Sequence, residues 1–323
     1  MLAGPLFSSL NWIQSTLSRR ERLRADLGGA VFVIGYWRSG TTLLHNYLCC
    51  DRRFGYPTTY ACMNAQHFVL TQSQALKQRS RSVKRPMDDV RVSLESPQED
   101  EFGLLALGAR SPYEGLMVPS RLGEALSLAD VQQLSDGDKR RWQQIFLYFL
   151  RCVSLSAQGR PLILKSPTHG YRISTLRALM PDARFILIVR SPEMVFESAV
   201  RMWQSLCALY ALEALPEEDE FRRVVLADRP RFEAKLAAGL QGVPEDRMAM
   251  VRYEELTRNP VPIIGQLYEQ LQLGDFSTIE PALSAEARRN ASYQARQAPP
   301  PDPWMQPLRQ HWRAIFERYQ YSA

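Results

Sequence analysis

Apolar residues fall into two patterns along this chain. Four short runs are apolar at nearly every position: Ala30 to Ile34, Pro161 to Leu164, Arg184 to Val189 and Met248 to Tyr253. Their length, β-branching and lack of alternation predict strands buried on both faces, as in a parallel sheet. Segments of helical character follow each run: Thr42 to Leu48, Ile173 to Met180, a segment that Pro192 can open at its first position, and one from Asn259-Pro260 to about Leu271. Strands alternating with helices predict an α/β fold, three layers with a central, largely parallel sheet flanked by helices.

Three further segments surround this pattern. Residues 1–28 form an amphipathic basic segment, with Leu6, Leu10, Ile13 and Leu17 on one helical face and Arg19, Arg20, Arg22 and Arg24 following. It reads as a helix packing on the main domain, with peripheral contact to a membrane surface as the alternative. Residues 29–323 read as one domain, interrupted by an insert over about 52–158 with helices expected at 97–107 and 138–155. A tail from about 285 is rich in Arg, Pro and aromatics, and Pro299 to Pro301 with Pro303 predict an extended stretch there.

Composition narrows the class. With 323 residues, 45% hydrophobic and 23% charged, the chain resembles an ordinary globular protein. No apolar run approaches the roughly 20 residues that span a bilayer, and the first ten residues lack the order of a secretory signal. Five cysteines without a CxxC pair read as reduced thiols, so a cytoplasmic location is expected. Four dispersed histidines give no reason to expect a metal. The net charge of +6 mildly favours an anionic partner, and most of the cations are arginines, suited to bidentate contacts with phosphate or sulfate.

The first strand runs into Gly35-Tyr36-Trp37-Arg38-Ser39-Gly40-Thr41-Thr42 and then a helix. Both glycines and the final Thr match the spacing of a nucleotide-triphosphate loop, G-x-x-x-x-G-K-[ST]. Such a turn wraps backbone N–H groups around an anion at a positive helix end. Thr41 stands where that loop has its lysine, and Arg38 brings a cation inside the turn instead, which points to a different phosphate-bearing ligand.

Here the sequence resembles the sulfotransferase superfamily, which uses 3′-phosphoadenosine 5′-phosphosulfate, and most of all its bacterial members. The resemblance spans about residues 29–273 and implies a P-loop-like fold, no metal, and a loop, Arg38-Ser39-Gly40-Thr41-Thr42, that binds the donor's 5′-phosphosulfate. It implies 3′-phosphate contacts from Arg190, which closes its strand, and from Ser198, eight residues on. Tyr253, in Arg252-Tyr253-Glu254-Glu255, would lie near the adenine. Leu43 occupies the position where some members stack a Trp on that base. The Arg-Lys-Gly triplet with which cytosolic animal members grip the 3′-phosphate is missing; Arg288, Arg289 or Arg296 are candidates to replace it.

Sulfuryl transfer to a hydroxyl calls for cations on the reacting groups and a general base. Lys165, at the carboxyl end of a strand, matches the family's sulfuryl-binding lysine, with Arg38 sharing the task. For the base, His169 is the first candidate by its near-neutral side chain, followed by Glu101 or Asp100 and then His67. Glu99 reads as the partner of Ser96 in a helix capping box. The acceptor expected is a small or lipid-like molecule bearing a hydroxyl, less so an amine, rather than a nucleic acid. A variant nucleotide kinase and a non-catalytic nucleotide-binding protein are the alternatives.

Overall fold

The computed structural model describes residues 9–10, 12–16, 20, 25–77, 82–85, 91–290 and 299–322. Its first strand, β1 (Val31–Ile34), is followed by α1 (Thr41–Leu48). The insert contributes α2 (Thr59–Met63), α3 (Phe68–Ala75), a short antiparallel hairpin of β2 (Val83–Lys84) and β3 (Arg91–Val92), α4 (Asp100–Ala106), α5 (Leu122–Ser127) and α6 (Asp136–Ser156). Next come β4 (Ile163–Lys165), α7 (His169–Leu179), β5 (Arg184–Val189), α8 (Pro192–Tyr210) and α9 (Glu218–Leu240). The remainder is β6 (Met248–Arg252), α10 (Tyr253–Arg258), α11 (Pro260–Gln270), α12 (Glu280–Asn290), α13 (Asp302–His311) and α14 (Arg313–Arg318).

The four predicted strands form one parallel sheet in the order β4-β1-β5-β6. Successive residues of β1 enter different cores, which explains why the run shows no alternation in sequence. Phe32 and Ile34 pack with Phe146 and Phe149 of α6, Leu176 of α7 and Phe232 of α9. Val31 and Val33 pack on the opposite face with Leu44 of α1, Ile264 of α11 and Leu283 of α12. Parallel register aligns the strands so that their carboxyl ends, and the segments that follow them, open on one edge of the sheet.

Three expectations are revised. The helix expected from 97 starts at Asp100, and Ser96 does not cap it. The Ser96 carbonyl accepts from the amide and hydroxyl of Thr59, and its hydroxyl accepts from the Ser93 amide, so the residue is held by the start of α2. The proline-rich tail is extended only up to Pro301, which precedes α13; Pro303 sits in that helix's first turn, where a missing N–H is tolerated. Burial drives the tail back onto the domain: Trp312 is fully buried and its indole N–H donates to the Leu226 carbonyl at 2.9 Å. The 23-residue α9 was not anticipated, because its apolar positions alternate with many charges. Most of the amino-terminal segment lies outside the described residues. Residues 12–16 are helical, and the Gln14 amide donates to the Ala65 carbonyl and the Tyr148 hydroxyl while accepting from the Val69 amide, tying this turn to the insert.

Helices α7 and α9 approach closely because Gly170 has no side chain: a Cβ there would lie 2.1 Å from Cε2 of Phe232. Gly170→Ala gains up to about 1 kcal/mol in helix propensity, but forced overpacking costs roughly 1–3 kcal/mol. The urea midpoint of the variant is therefore expected to fall with an unchanged slope; an equal or higher midpoint contradicts this packing.

Candidate active site

Two sharp backbone positions shape the turn after β1. Arg38 adopts φ 69° and Gly40 φ 104°, both left-handed. For a large side chain such as Arg38 that conformation is uncommon and marks an over-determined, functional turn. Gly35 and Gly40 leave no room for a Cβ. At Gly35 it would meet Ser39 Oγ at 2.6 Å, and at Gly40 it would meet Tyr253 Cδ2 at 2.4 Å. Ser39 is 1% exposed, and its hydroxyl has no hydrogen-bond partner among the described residues. No side chain caps α1, so its first amides also face the turn. A buried unpaired hydroxyl beside unpaired amides is the donor set an anion requires.

The strand ends converge on this turn. Arg38 Nε donates to Ser198 Oγ at 3.0 Å, and Arg190 Nη1 donates to the Arg38 carbonyl at 3.2 Å. The Arg190 guanidinium lies 4.4 Å from the centre of the Tyr253 ring. Arg190, Ser191, Met194, Tyr253, Thr257 and Arg258 line a cleft of about 420 Å³. Leu43 and Tyr253 are both half-buried against the second core. Arg258 is a cleft-lining cation that sequence reading missed. Arg289 instead pairs with Glu286 at 2.9 Å, and Arg296 lies outside the described residues.

On the other side of the turn, Lys165 is 1% exposed and donates to Glu99 Oε1 at 2.8 Å, with Thr42 Oγ1 at 3.5 Å. Thr42 and Lys165 line a second cleft of about 220 Å³, flanked by Asn46, Tyr56, Arg91 and Gln98. The Glu99 side chain is 12% exposed.

The structure separates the first-choice bases from this cleft. His169 is fully buried between Phe32 and Phe146, with Nε2 at 2.9 Å from Asp100 Oδ2. Glu101 is fully buried as well, bound by Arg172 through two contacts of 2.6 and 3.1 Å and by the Thr168 hydroxyl at 3.0 Å. Burial opposes ionisation of Glu101, but the Arg172 charge and hydrogen bonds win and hold its carboxyl below the usual range. His67 bonds Thr71 within α3. His45, behind Lys165 on α1, is pushed down to about 3 by burial and by the Lys165 charge, so it stays neutral.

Glu99, Asp100 and Glu101 thus pair in turn with Lys165, His169 and Arg172. Three consecutive acids meet residues spaced four and three apart, from the end of β4 into the first turn of α7. Of these six residues Lys165 lines the cleft, and Glu99, the one acid not fully buried, sits against it. The capping-box spacing of Ser96 and Glu99 hid this in the sequence. The pointer available was the crowding of three acids ahead of an apolar helix, which needs three buried partners.

Residues 30–277 match the sequence profile described as "Sulfotransferase family". The chain belongs to this family. It is 32% identical over 312 residues, 96% of its length and 80% of the relative's, to the omega-hydroxy-beta-dihydromenaquinone-9 sulfotransferase Stf3 of Mycobacterium bovis, and equally to that of Mycobacterium tuberculosis. Its fold matches the crystal structure of sulfotransferase STF9 from Mycobacterium avium with a TM-score of 0.72, 18% identity and coverage of 96% and 81% of the two chains. Sulfotransferase STF1 from Mycobacterium tuberculosis H37Rv matches with 0.64, 16% identity and coverage of 94% and 81%. This sulfotransferase is therefore an enzyme that takes its sulfuryl group from 3′-phosphoadenosine 5′-phosphosulfate and leaves 3′-phosphoadenosine 5′-phosphate, PAP. Family membership sets aside the kinase and the non-catalytic alternatives.

Removing Arg190 deletes a charged donor at the cleft. Arg190→Ala is expected to weaken PAP binding by roughly ten- to a hundredfold, the size of a lost charge-assisted hydrogen bond. Calorimetry returning the wild-type Kd would contradict the assignment of this cleft to the nucleotide.

Proposed function

We propose that the 35–42 turn and Arg38 hold the donor's 5′-phosphosulfate, that Arg190 and Ser198 hold its 3′-phosphate, and that Tyr253 and Leu43 flank the adenine. The supporting observation is the Arg190–Arg38–Ser198 cluster with Tyr253 against Arg190, which brings three sequence-distant motifs to one edge of the sheet. Bound there, the donor supplies a sulfuryl group on a phosphosulfate anhydride. Lys165, within hydrogen-bond range of the turn's Thr42, carries the positive charge for that group, as Arg38 does from inside the turn.

Glu99 takes the acceptor's proton in this reading. Its carboxylate touches Lys165, which lines the cleft, and it is the acid of the 99–101 series that is not fully buried. His169 and Glu101 hold α4 against α7 and act by placing Glu99 rather than by touching the acceptor. In the resting arrangement Lys165 neutralises Glu99. When Lys165 turns to the sulfuryl group, the carboxylate is released to accept a hydroxyl proton, so the pair stores each group in the charge state its task needs.

The acceptor proposed is a hydroxyl carried by a lipid-like, quinone-derived molecule, entering through the cleft beside Lys165. The relative at 32% identity is named for such an acceptor, and Tyr56, Val92 and Pro97 give the cleft apolar walls beside its charges. No helix among the described residues is long and apolar enough to cross a membrane. Trp12, 69% exposed on the amino-terminal turn, is suited to contact a membrane surface that holds such an acceptor.

Labelled donor and an ω-hydroxylated dihydromenaquinone test the reading together. Glu99→Gln is expected to lower kcat by about 10²–10⁴, the usual worth of a general base, while PAP affinity stays within a few-fold. Near wild-type turnover in that variant removes Glu99 from the chemistry.

A further inference from the structure

A chain of hydrogen bonds runs from the anion-binding turn to Glu99 by a route other than Lys165. Trp37, inside the turn and 2% exposed, donates its indole N–H to the Tyr113 hydroxyl at 3.3 Å. Tyr113, 5% exposed, donates that hydroxyl to Glu99 Oε2 at 2.6 Å. On the other oxygen Glu99 receives Lys165, which in turn reaches Thr42 of the same turn. Both oxygens of one carboxylate are therefore linked, through Tyr113 and Lys165, to two residues of a single loop, Trp37 and Thr42. The donor directions agree throughout: an indole N–H can only donate, so the Tyr113 proton points toward Glu99.

We infer that Tyr113 is a positioning residue that fixes Glu99 to the donor-binding turn, so that the base is aimed from the same loop that holds the sulfuryl donor. This inference rests on the reading of Glu99 as the base. Three features favour a dedicated role over incidental packing. The Tyr113 ring is locked by stacking on Phe102, with centroids 4.9 Å apart and planes at 11°, so its hydroxyl has one direction. Burial and the Glu99 charge push the Tyr113 phenol well above its ordinary value, so it stays protonated and remains a donor at working pH. The contact is also separate from the neighbouring acids, since Asp100 and Glu101 take their partners from α7 and the residue before it. When Lys165 swings to its other partner, Tyr113 keeps Glu99 in place.

The test uses Tyr113→Phe, which keeps the stacked ring and removes one oxygen. A hydrogen bond donated to a carboxylate stabilises its charged form, so its loss shifts protonation toward higher pH. In the PAP-bound protein, infrared difference spectra against Glu99→Gln isolate the Glu99 carboxyl band. That band is expected to appear about half to one pH unit higher in Tyr113→Phe than in wild type. Turnover is expected to fall roughly three- to tenfold, one hydrogen bond's worth, with PAP affinity within twofold. Trp37→Phe, one link upstream, is expected to move the band the same way by less. A band that titrates at the same pH in wild type and in both variants overturns the inference. Glu99→Gln with wild-type turnover instead removes the base reading, and the infrared comparison still decides whether Tyr113 governs Glu99.

Discussion

The structure depends on one constraint: an arginine held in a left-handed backbone conformation between two partners from another strand–helix unit. Arg38 cannot relax into ordinary geometry, because Arg190 holds its carbonyl and Ser198 holds its guanidinium. With Gly35 and Gly40 pressed against Ser39 and Tyr253, the turn is fixed on three sides before any ligand arrives. Preorganised donors of this kind cost no rearrangement when charge shifts during reaction. The parallel sheet makes the constraint possible by setting the ends of β1, β5 and β6 side by side.

A second constraint comes from electrostatics in the core. Buried carboxylates are costly unless paired, and α4 brings three in succession. The solution distributes them along α7 and the end of β4, with the deepest two bound to His169 and Arg172. The shallowest faces Lys165 at the cleft. In the proposed reading, chemistry occupies the outer end of a row whose inner members supply structure. The same row explains why the histidine four residues after Lys165 is buried in the core and does not line the cleft.

Much of this was legible in the sequence. The four apolar runs gave the four strands within about two residues, since strands buried on both faces leave an unmistakable uninterrupted signature. The turn and its partners Arg190, Ser198 and Tyr253 were also legible, because each sits at a strand end and strand ends converge in parallel α/β folds. What was not legible depended on side-chain direction within the insert. The placement of His169 and Glu99 was not legible: the sequence shows an imidazole near Lys165 and a plausible cap at Glu99, but not that Asp100 draws the imidazole into the core. Tyr113 and Trp37 lie 76 positions apart, and no local pattern links them. The tail was misread for a related reason. Proline content favoured an extended chain, while the burial of Trp312 decided otherwise.

A crystal structure with PAP tests the central claim most directly. The account predicts the 5′-phosphate in the 35–42 turn, bonded by Ser39 and the first amides of α1, with the 3′-phosphate on Arg190 and Ser198. A nucleotide bound elsewhere, or lying in the turn without touching Arg190, contradicts it.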